Sequence, residues 1–476
     1  MPDTQMNSSN TIDALLQVVG PAGLTQDKHI IEPYLKDWVG YTQGHTPVMV
    51  SPSSTEEVSS IMGVCANYGA AIVPQGGNTS SVAGGVPHGE ILLSLRRMNQ
   101  IRNIDPADFT ITVDAGCILA NVQSAALKVD RFFPLSIGSE GSCTIGGNVS
   151  TNAGGISVLR YGNMRDLVLG LEVVLPDGRI WDGLRRLRKD NSGYAIKHIF
   201  IGAEGSLGVI TGVSLRLFPQ PLETATAFVA LHDLDSCLSL LSVIRETSGD
   251  AVSSYELIPR LGLDIALKYD SQVIDPITRR HEWYALIEFS GTRADGSTIQ
   301  ALETSLSEAL QRHLINDAVV ANSGAQADAL WRIRRSIVEF QPQAGGEIKH
   351  DVSVPISKVP DFIRRAGISV NKVVQDIRPV AYGHIGDGNI HYNLSPPLGM
   401  TRASFLKYTN QLHSAVYDVV ADFDGSFAAE HGVGIVKKDE LVRYRSDTEV
   451  DLMRQIKHLI DPEGLMNPGK VLHQED

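Results

Sequence analysis

Cysteine is scarce in this chain. The four cysteines, Cys65, Cys117, Cys143 and Cys237, form no CxxC and no dense cluster. That spacing argues against a disulfide framework or a cysteine-ligated metal and fits a reducing compartment. Long apolar runs are missing too: no stretch reaches the roughly 18 residues of a membrane-spanning helix. Basic residues are outnumbered, 41 Lys and Arg against 54 Asp and Glu, for a formal net charge of −13. Binding a phosphate backbone needs a basic surface, so the balance argues against a nucleic-acid partner. A small anionic ligand would need a locally positive site inside an acidic protein. The first residues, "MPDTQMNSSNTIDALLQVVG", lack the basic segment and apolar core of a secretory signal and are unlike an arginine-rich transit peptide. A cytoplasmic location is the expectation.

What is present divides by texture. With 476 residues, two or three domains are expected. Residues 1–45 read as helix and turn. Residues 46–219 alternate short apolar strands with glycine clusters, as in "AAIVPQGGNTSSVAGG" and "SLGVITGVSLRLF". After "FPQP" the pattern changes. Residues 220–423 combine strands such as "EWYALIEFSG" with long amphipathic helices, one near "ADALWRIRRSIVEFQ". This reads as an α+β domain with an antiparallel sheet. Residues 424–476 become glycine-rich again ("EHGVGIVKK"), a texture that groups them with the first domain.

"PQGGNTS", Pro74 to Ser80, follows the apolar run "AAIV". A strand opening into such a loop offers successive backbone N–H groups to phosphate oxygens. It is neither a Walker A loop nor a GxGxxG fingerprint. A close-packed turn is the plain alternative. Three further segments, Pro134 to Gly155, Arg188 to Tyr194 and Phe200 to Thr211, favour a long flat cofactor lying against backbone, since two of them are dominated by small residues.

Six motifs then stand in order between Pro74 and Lys470: "PQGGNTS", "CTIGGNVSTNAGG", "IGAEGSLGVIT", "YGHIGDGNIH", "AEHGVG" and "DPEGLMNPGK". Together they resemble the flavin-binding oxidoreductases of the vanillyl-alcohol oxidase superfamily, in the branch containing D-lactate and D-2-hydroxyglutarate dehydrogenases. The resemblance implies an α+β fold: a two-lobed FAD domain, a substrate domain with an antiparallel sheet, and a C-terminal segment returning to the flavin. It implies FAD contacts at Pro74, Gly76, Gly77, Asn78, Thr79 and Ser80, then at Gly138, Ser139, Thr144, Gly147, Asn148, Thr151, Asn152, Gly154 and Gly155. Glu204, Gly205, Ile210 and Asn467 complete that set. Asn78 stands where members with covalent flavin carry a histidine, so the FAD is expected to be non-covalent.

"YGHIGDGNIHYNL", Tyr382 to Leu394, places His384 and His391 seven residues apart around a glycine-rich turn. On spacing alone they are either two facing metal ligands of a hairpin or two hydrogen-bonding turn residues. Glu430 in "AAEHGVG" is a carboxylate that could complete a site for Zn2+ or a similar divalent ion. By resemblance His384, His391 and Glu430 match the family's metal ligands, and His431 its catalytic histidine. Removing a hydroxyl proton near pH 7 needs a cation on the oxygen and a base nearby, and imidazole, with a pKa near 6.5, can serve. The C2 hydride would go to flavin N5. One carboxylate on a divalent ion would leave one positive charge to attract the substrate.

A second substrate carboxylate needs a donor. By resemblance Arg334, Lys349 and Asn393 match substrate contacts; Arg332 and Arg335 read as a solvated helix face. Val338 stands where some hydroxyglutarate enzymes carry threonine. The resemblance thus implies an FAD- and metal-dependent dehydrogenase converting D-2-hydroxyglutarate to 2-oxoglutarate. D-lactate and D-malate are the rival substrates, and a non-catalytic flavin-binding subunit is the rival class. The implied electron acceptor is a carrier such as electron-transferring flavoprotein, or a quinone, with a homodimer as the assembly to test.

Overall fold

The computed structural model describes residues 3–40 and 42–474. Two compact units divide the chain. The first comprises Met1–Gly154, Asn163–Pro219 and His431–Asp476; the second comprises Gly155–Gly162 and Gln220–Glu430.

In the first unit a four-stranded sheet runs in the order Leu24–Thr25, Met49–Val50, Ile91–Ser94, Ile72–Gln75. The last three strands are parallel. The helix Thr55–Tyr68 makes one crossover. Ser54 caps it, its side chain accepting from the Glu57 amide at 3.2 Å, and Gly69 closes it at φ 63°. Val58, Ile61, Met62 and Cys65 recur at helical spacing and are buried, each worth about 1.5–3 kcal/mol if large and apolar. A second, five-stranded antiparallel sheet orders Ile101–Asp105, Thr110–Asp114, Val209–Arg216, Val168–Val174 and Ile180–Gly183. The final segment pairs back onto this unit: the Asn467 amide donates to the Ile72 carbonyl at 2.8 Å, and the Ile72 amide to Leu465 at 2.9 Å.

The second unit is built on seven antiparallel strands: Ile315–Val320, Glu223–Leu231, Trp283–Gly291, Val252–Pro259, Arg378–His384, Asn389–Ser395 and Asp351–Ser353. Phe228, Ile258 and Tyr284 from these strands pack with Leu263, Trp331, Ile333 and Ile337 from two helices, Arg260–Tyr269 and Gly324–Phe340.

The α+β class and the antiparallel substrate-domain sheet are as expected from sequence. Two segments fall on the other side of the expected boundaries. Gly155–Gly162 lies in the second unit. Arg160 there donates to the Ala251 carbonyl at 3.3 Å, and Ser254 donates to the Ile156 carbonyl at 2.9 Å. Residues 424–430 also stay with the second unit, because Ser426 exchanges backbone hydrogen bonds with Ser353 at 2.8 and 2.9 Å. The chain changes unit between Glu430 and His431.

Candidate active site

The hairpin strands Arg378–His384 and Asn389–Ser395 are joined by a four-residue turn, Ile385 to Gly388. Gly388 has φ 84°, and a Cβ there would lie 2.2 Å from the Val354 carbonyl oxygen, so the turn requires glycine. The Asp387 side chain accepts from the Asn389 amide at 3.0 Å and fixes the turn.

Each histidine faces a carboxylate directly across a strand pair. Glu256 is the register partner of His384, and Asp351 that of His391. Side chains in such pairs share one face of the sheet and meet. Glu256 accepts a hydrogen bond from His384 Nδ1 through Oε1, whereas Asp351 Oδ1 stands 3.9 Å from His391 Nδ1. The Nε2 atoms point the other way, toward Glu430: 3.6 Å from His384 to Oε1, 3.9 Å from His391 to Oε2. One donor atom from each of the three residues lies within 4.8 Å of the others. Donors about 2.0–2.1 Å from one tetrahedral ion stand roughly 3.3–3.5 Å apart, so a small closure would let all three hold a cation. The Glu430 amide donates to Asp351 Oδ2 at 2.9 Å, which fixes the third arm.

Arg334 lies on the buried face of the helix Gly324–Phe340, beside Trp331 and Ile337. Its Nε donates to Glu256 Oε2 at 2.6 Å, and its guanidinium lies over the Tyr382 ring, 4.5 Å from the centroid. Glu256 therefore joins Arg334 to His384. Burial pushes its carboxyl up, but the charges of His384 and Arg334 outweigh this and bring it to about 2. Burial lowers His384; Glu256 outweighs that and takes the imidazole to about 9. Burial raises Glu430 to about 7 and Asp387 to about 6. In both, loss of hydration outweighs the nearby charge of His384.

Several expected residues have other occupations. Asn393 is fully engaged: its Nδ2 donates to Gln341 Oε1 at 3.1 Å and Tyr382 Oη at 3.2 Å, and its Oδ1 accepts from the His350 amide at 3.2 Å. Lys349 Nζ is 3.0 Å from Glu347 Oε1, so its charge is already countered. Arg332 keeps its side chain 37% exposed, as a solvated helix face implies, and also makes a two-pronged pair with buried Asp270 at 2.7 and 3.0 Å. Arg335 donates to the Asp328 carbonyl, and Val338 is 40% exposed. Around the three grouped residues the structure adds the carboxylates of Glu256, Asp351 and Asp387 and the guanidinium of Arg334. Glu256 and Asp351 escaped the sequence reading, although an acidic residue inside the apolar run "SSYELIP" was a usable signal.

In the first unit the loop after Ile72–Gln75 meets three other segments. A Cβ on Gly77 would lie 2.2 Å from the Ser142 carbonyl oxygen, and one on Gly76 2.1 Å from Thr144 Oγ1. Pro74 packs against Gly205. Asn467 donates to the carbonyls of Gly84 and Glu204 at 2.9 and 2.8 Å. Thr144 precedes the helix Ile145–Ser150, which carries Gly147 and Asn148. The Ser139 carbonyl, next to Gly138, accepts from the Ser142 and Cys143 amides, and Thr151 donates to the Gly147 carbonyl at 3.1 Å. Gly154 ends this stretch, while Gly155 belongs to the second unit.

Several polar side chains expected at the flavin also bond to the chain itself. Asn78 donates to the Lys36 carbonyl at 2.9 Å, Ser80 Oγ accepts from the Val82 amide at 3.2 Å, and Asn152 accepts from the Arg165 amide at 2.9 Å. Asn148 donates to Cys143 Sγ. Thr79 is half-buried in the loop, and Ile210 is a core residue of its strand. Glu204 accepts from the amides of Val433 and Gly434 at 2.7 and 2.9 Å and so holds the loop that follows His431. By contrast Gln75 Oε1, Thr144 Oγ1 and Asn467 Oδ1 are buried and meet no hydrogen-bond partner among the described residues. These three atoms around a glycine-lined loop fit a polar ligand such as a dinucleotide.

Comparison with known proteins agrees. Residues 46–183 match the FAD binding domain family, and residues 220–471 match the C-terminal domain of FAD linked oxidases. A protein of Oryza sativa subsp. indica named probable D-2-hydroxyglutarate dehydrogenase, mitochondrial, is 38% identical over 99% of this chain and 83% of its own. A D-2-hydroxyglutarate dehydrogenase of Xanthomonas citri pv. viticola is 35% identical, covering 97% of both chains. A Saccharomyces cerevisiae relative, 36% identical over 92% of this chain and 88% of its own, is named D-2-hydroxyglutarate–pyruvate transhydrogenase. Among solved structures, p-cresol methylhydroxylase superposes with a TM-score of 0.77 at 14% identity, covering 98% of this chain and 97% of its own, which supports the fold alone. No helix among the described residues is long and apolar enough to cross a membrane. With both domain families matched and relatives this similar along nearly the whole chain, the protein belongs to the FAD-linked oxidases, as an FAD-dependent oxidoreductase of the D-2-hydroxyglutarate dehydrogenase branch.

Proposed function

We propose that this chain oxidises D-2-hydroxyglutarate to 2-oxoglutarate with non-covalent FAD and a divalent cation. The observation that carries the reading is the convergence of His384, His391 and Glu430, with Arg334 joined to the first of them through Glu256. When bound, the cation supplies Lewis acidity that eases loss of the hydroxyl proton, and FAD supplies the two-electron acceptor for the C2 hydride. Histidine Nε2 atoms and a carboxylate with no thiolate suit zinc or another borderline ion. His431, next in sequence to Glu430, is assigned the hydroxyl proton.

Arg334 holds the far carboxylate. Only its Nε is taken by Glu256, which leaves the two terminal nitrogens as a fork for a carboxylate. Lys349 is the weaker partner because Glu347 already counters it. The flavin lies on the loop Pro74–Ser80, with Gln75, Thr144 and Asn467 supplying the buried polar contacts. The electrons taken from the substrate would leave to a protein carrier of the electron-transferring-flavoprotein kind or, in the manner of the yeast relative's name, to a 2-oxo acid.

A dye-linked assay with D-2-hydroxyglutarate, D-malate and D-lactate, run with and without chelator and added Zn2+, tests the whole reading. The expected result is a kcat/KM order led by the five-carbon diacid, activity loss of at least about 100-fold on chelation, and recovery with metal. Preference for D-lactate, or indifference to chelation, would overturn it.

A further inference from the structure

We propose that Glu256 is a positioning residue that fixes the metal ligand His384 and the carboxylate-binding Arg334 at a set spacing, and so selects substrate length. The inference rests on the functional reading above. Glu256 is fully buried in the middle of the strand Val252–Pro259 and splits its two oxygens between two elements. Oε1 accepts the His384 Nδ1–H hydrogen bond from the neighbouring strand, and Oε2 accepts the Arg334 Nε–H from the helix Gly324–Phe340 at 2.6 Å.

Both bonds have a chemical consequence. A proton held on Nδ1 leaves the Nε2 lone pair for a cation. A filled Nε leaves the terminal guanidinium nitrogens facing away from Glu256, and the Tyr382 ring under the guanidinium limits its rotation. The carboxylate opposite the other histidine is held differently. Asp351 stands 3.9 Å from His391, and its oxygens accept from Asn389 Nδ2 and the Glu430 amide, each at 2.9 Å. Glu256 is joined both to a histidine and to an arginine. The hydroxyacid end of the substrate and its far carboxylate are therefore bound by groups that one side chain holds together. A diacid of the wrong length, or a monoacid, meets only one of them well.

The experiment compares wild type, Glu256→Gln and Glu256→Asp, each loaded with FAD. Glutamine keeps the volume, but its amide NH2 must face one of the two donors. Aspartate keeps the charge but is one methylene too short to reach both. Zinc affinity is read by equilibrium dialysis of the unliganded proteins, without turnover. Selectivity is read as kcat/KM for D-2-hydroxyglutarate divided by that for D-lactate. We expect zinc affinity to fall about 10- to 100-fold in both variants. The selectivity ratio should fall at least about 10-fold, while flavin content is unchanged. Recovery of both readouts in Glu256→Asp would mean that the residue acts only as a buried counter-charge, and would overturn the proposal. So would wild-type values in Glu256→Gln. Failure of wild type itself to bind zinc would instead bring down the functional reading, and this inference with it. Should Glu256→Gln fail to fold, the aspartate variant alone carries the same two outcomes.

Discussion

Two buried glutamates, one in each unit, are held by opposite means. Glu204 in the first unit accepts from two backbone amides, and burial, only partly offset by them, raises its carboxyl to about 7. Glu256 in the second unit is just as deeply buried, but His384 and Arg334 bring it to about 2. The first unit builds its site from backbone, glycine and neutral amides; the second builds from charged side chains that fix one another. The difference suits the ligands proposed for them. A flat dinucleotide is bound by shape and many small contacts, whereas a cation and a dianion need few groups at exact distances.

The largest effect that would sharpen this contrast is His431→Ala. It should retain flavin absorbance and zinc yet lose about 100- to 10,000-fold in kcat, because it removes a proton acceptor and neither binding site. Stopped-flow flavin reduction measures it, and a wild-type reduction rate would remove His431 from the mechanism. Next comes Gly77→Ala. The new methyl must occupy space 2.2 Å from a carbonyl oxygen, so FAD affinity should drop at least about 10-fold while zinc binding by the second unit persists. Ultrafiltration followed by the absorbance ratio at the protein and flavin maxima would detect it; full flavin retention would break the contrast.

The smallest effect concerns pH. A carboxyl raised in the folded state from 4.5 to about 7 contributes its stability fully below 4.5 and loses it as pH rises through about 7. Glu204→Gln removes that loss. The Tm of the variant relative to wild type should therefore improve between pH 5 and pH 7.5, by roughly 5 degrees for a unit of this size. A flat Tm difference across that window would show that Glu204 does not titrate there.

The three residues that cluster were easier to read from sequence than the groups that hold them. His384, His391 and Glu430 stand in glycine-flanked motifs and come together within one unit. Glu256 and Asp351 come from strands far away in sequence, and only strand register puts them opposite the histidines. One residue of slip would turn Glu256 to the other face. The glycine loops were likewise legible as a group. Their individual polar residues were not, because Asn78, Asn152 and Glu204 spend their hydrogen bonds on backbone that no local pattern reveals. Residues 155–162 read as part of the glycine-rich half by texture, yet Arg160 and Ile156 bond to strands of the second unit.

The four scarce cysteines have a practical side. All are free and buried, and burial pushes Cys65, Cys117 and Cys237 up to about 12. A thiol in that state does not react with maleimides at neutral pH. The native chain is thus a silent background for labelling. A single cysteine placed at Tyr194, which is 94% exposed, would be the site that takes a fluorophore, and the flavin itself could serve as the second dye of a distance measurement.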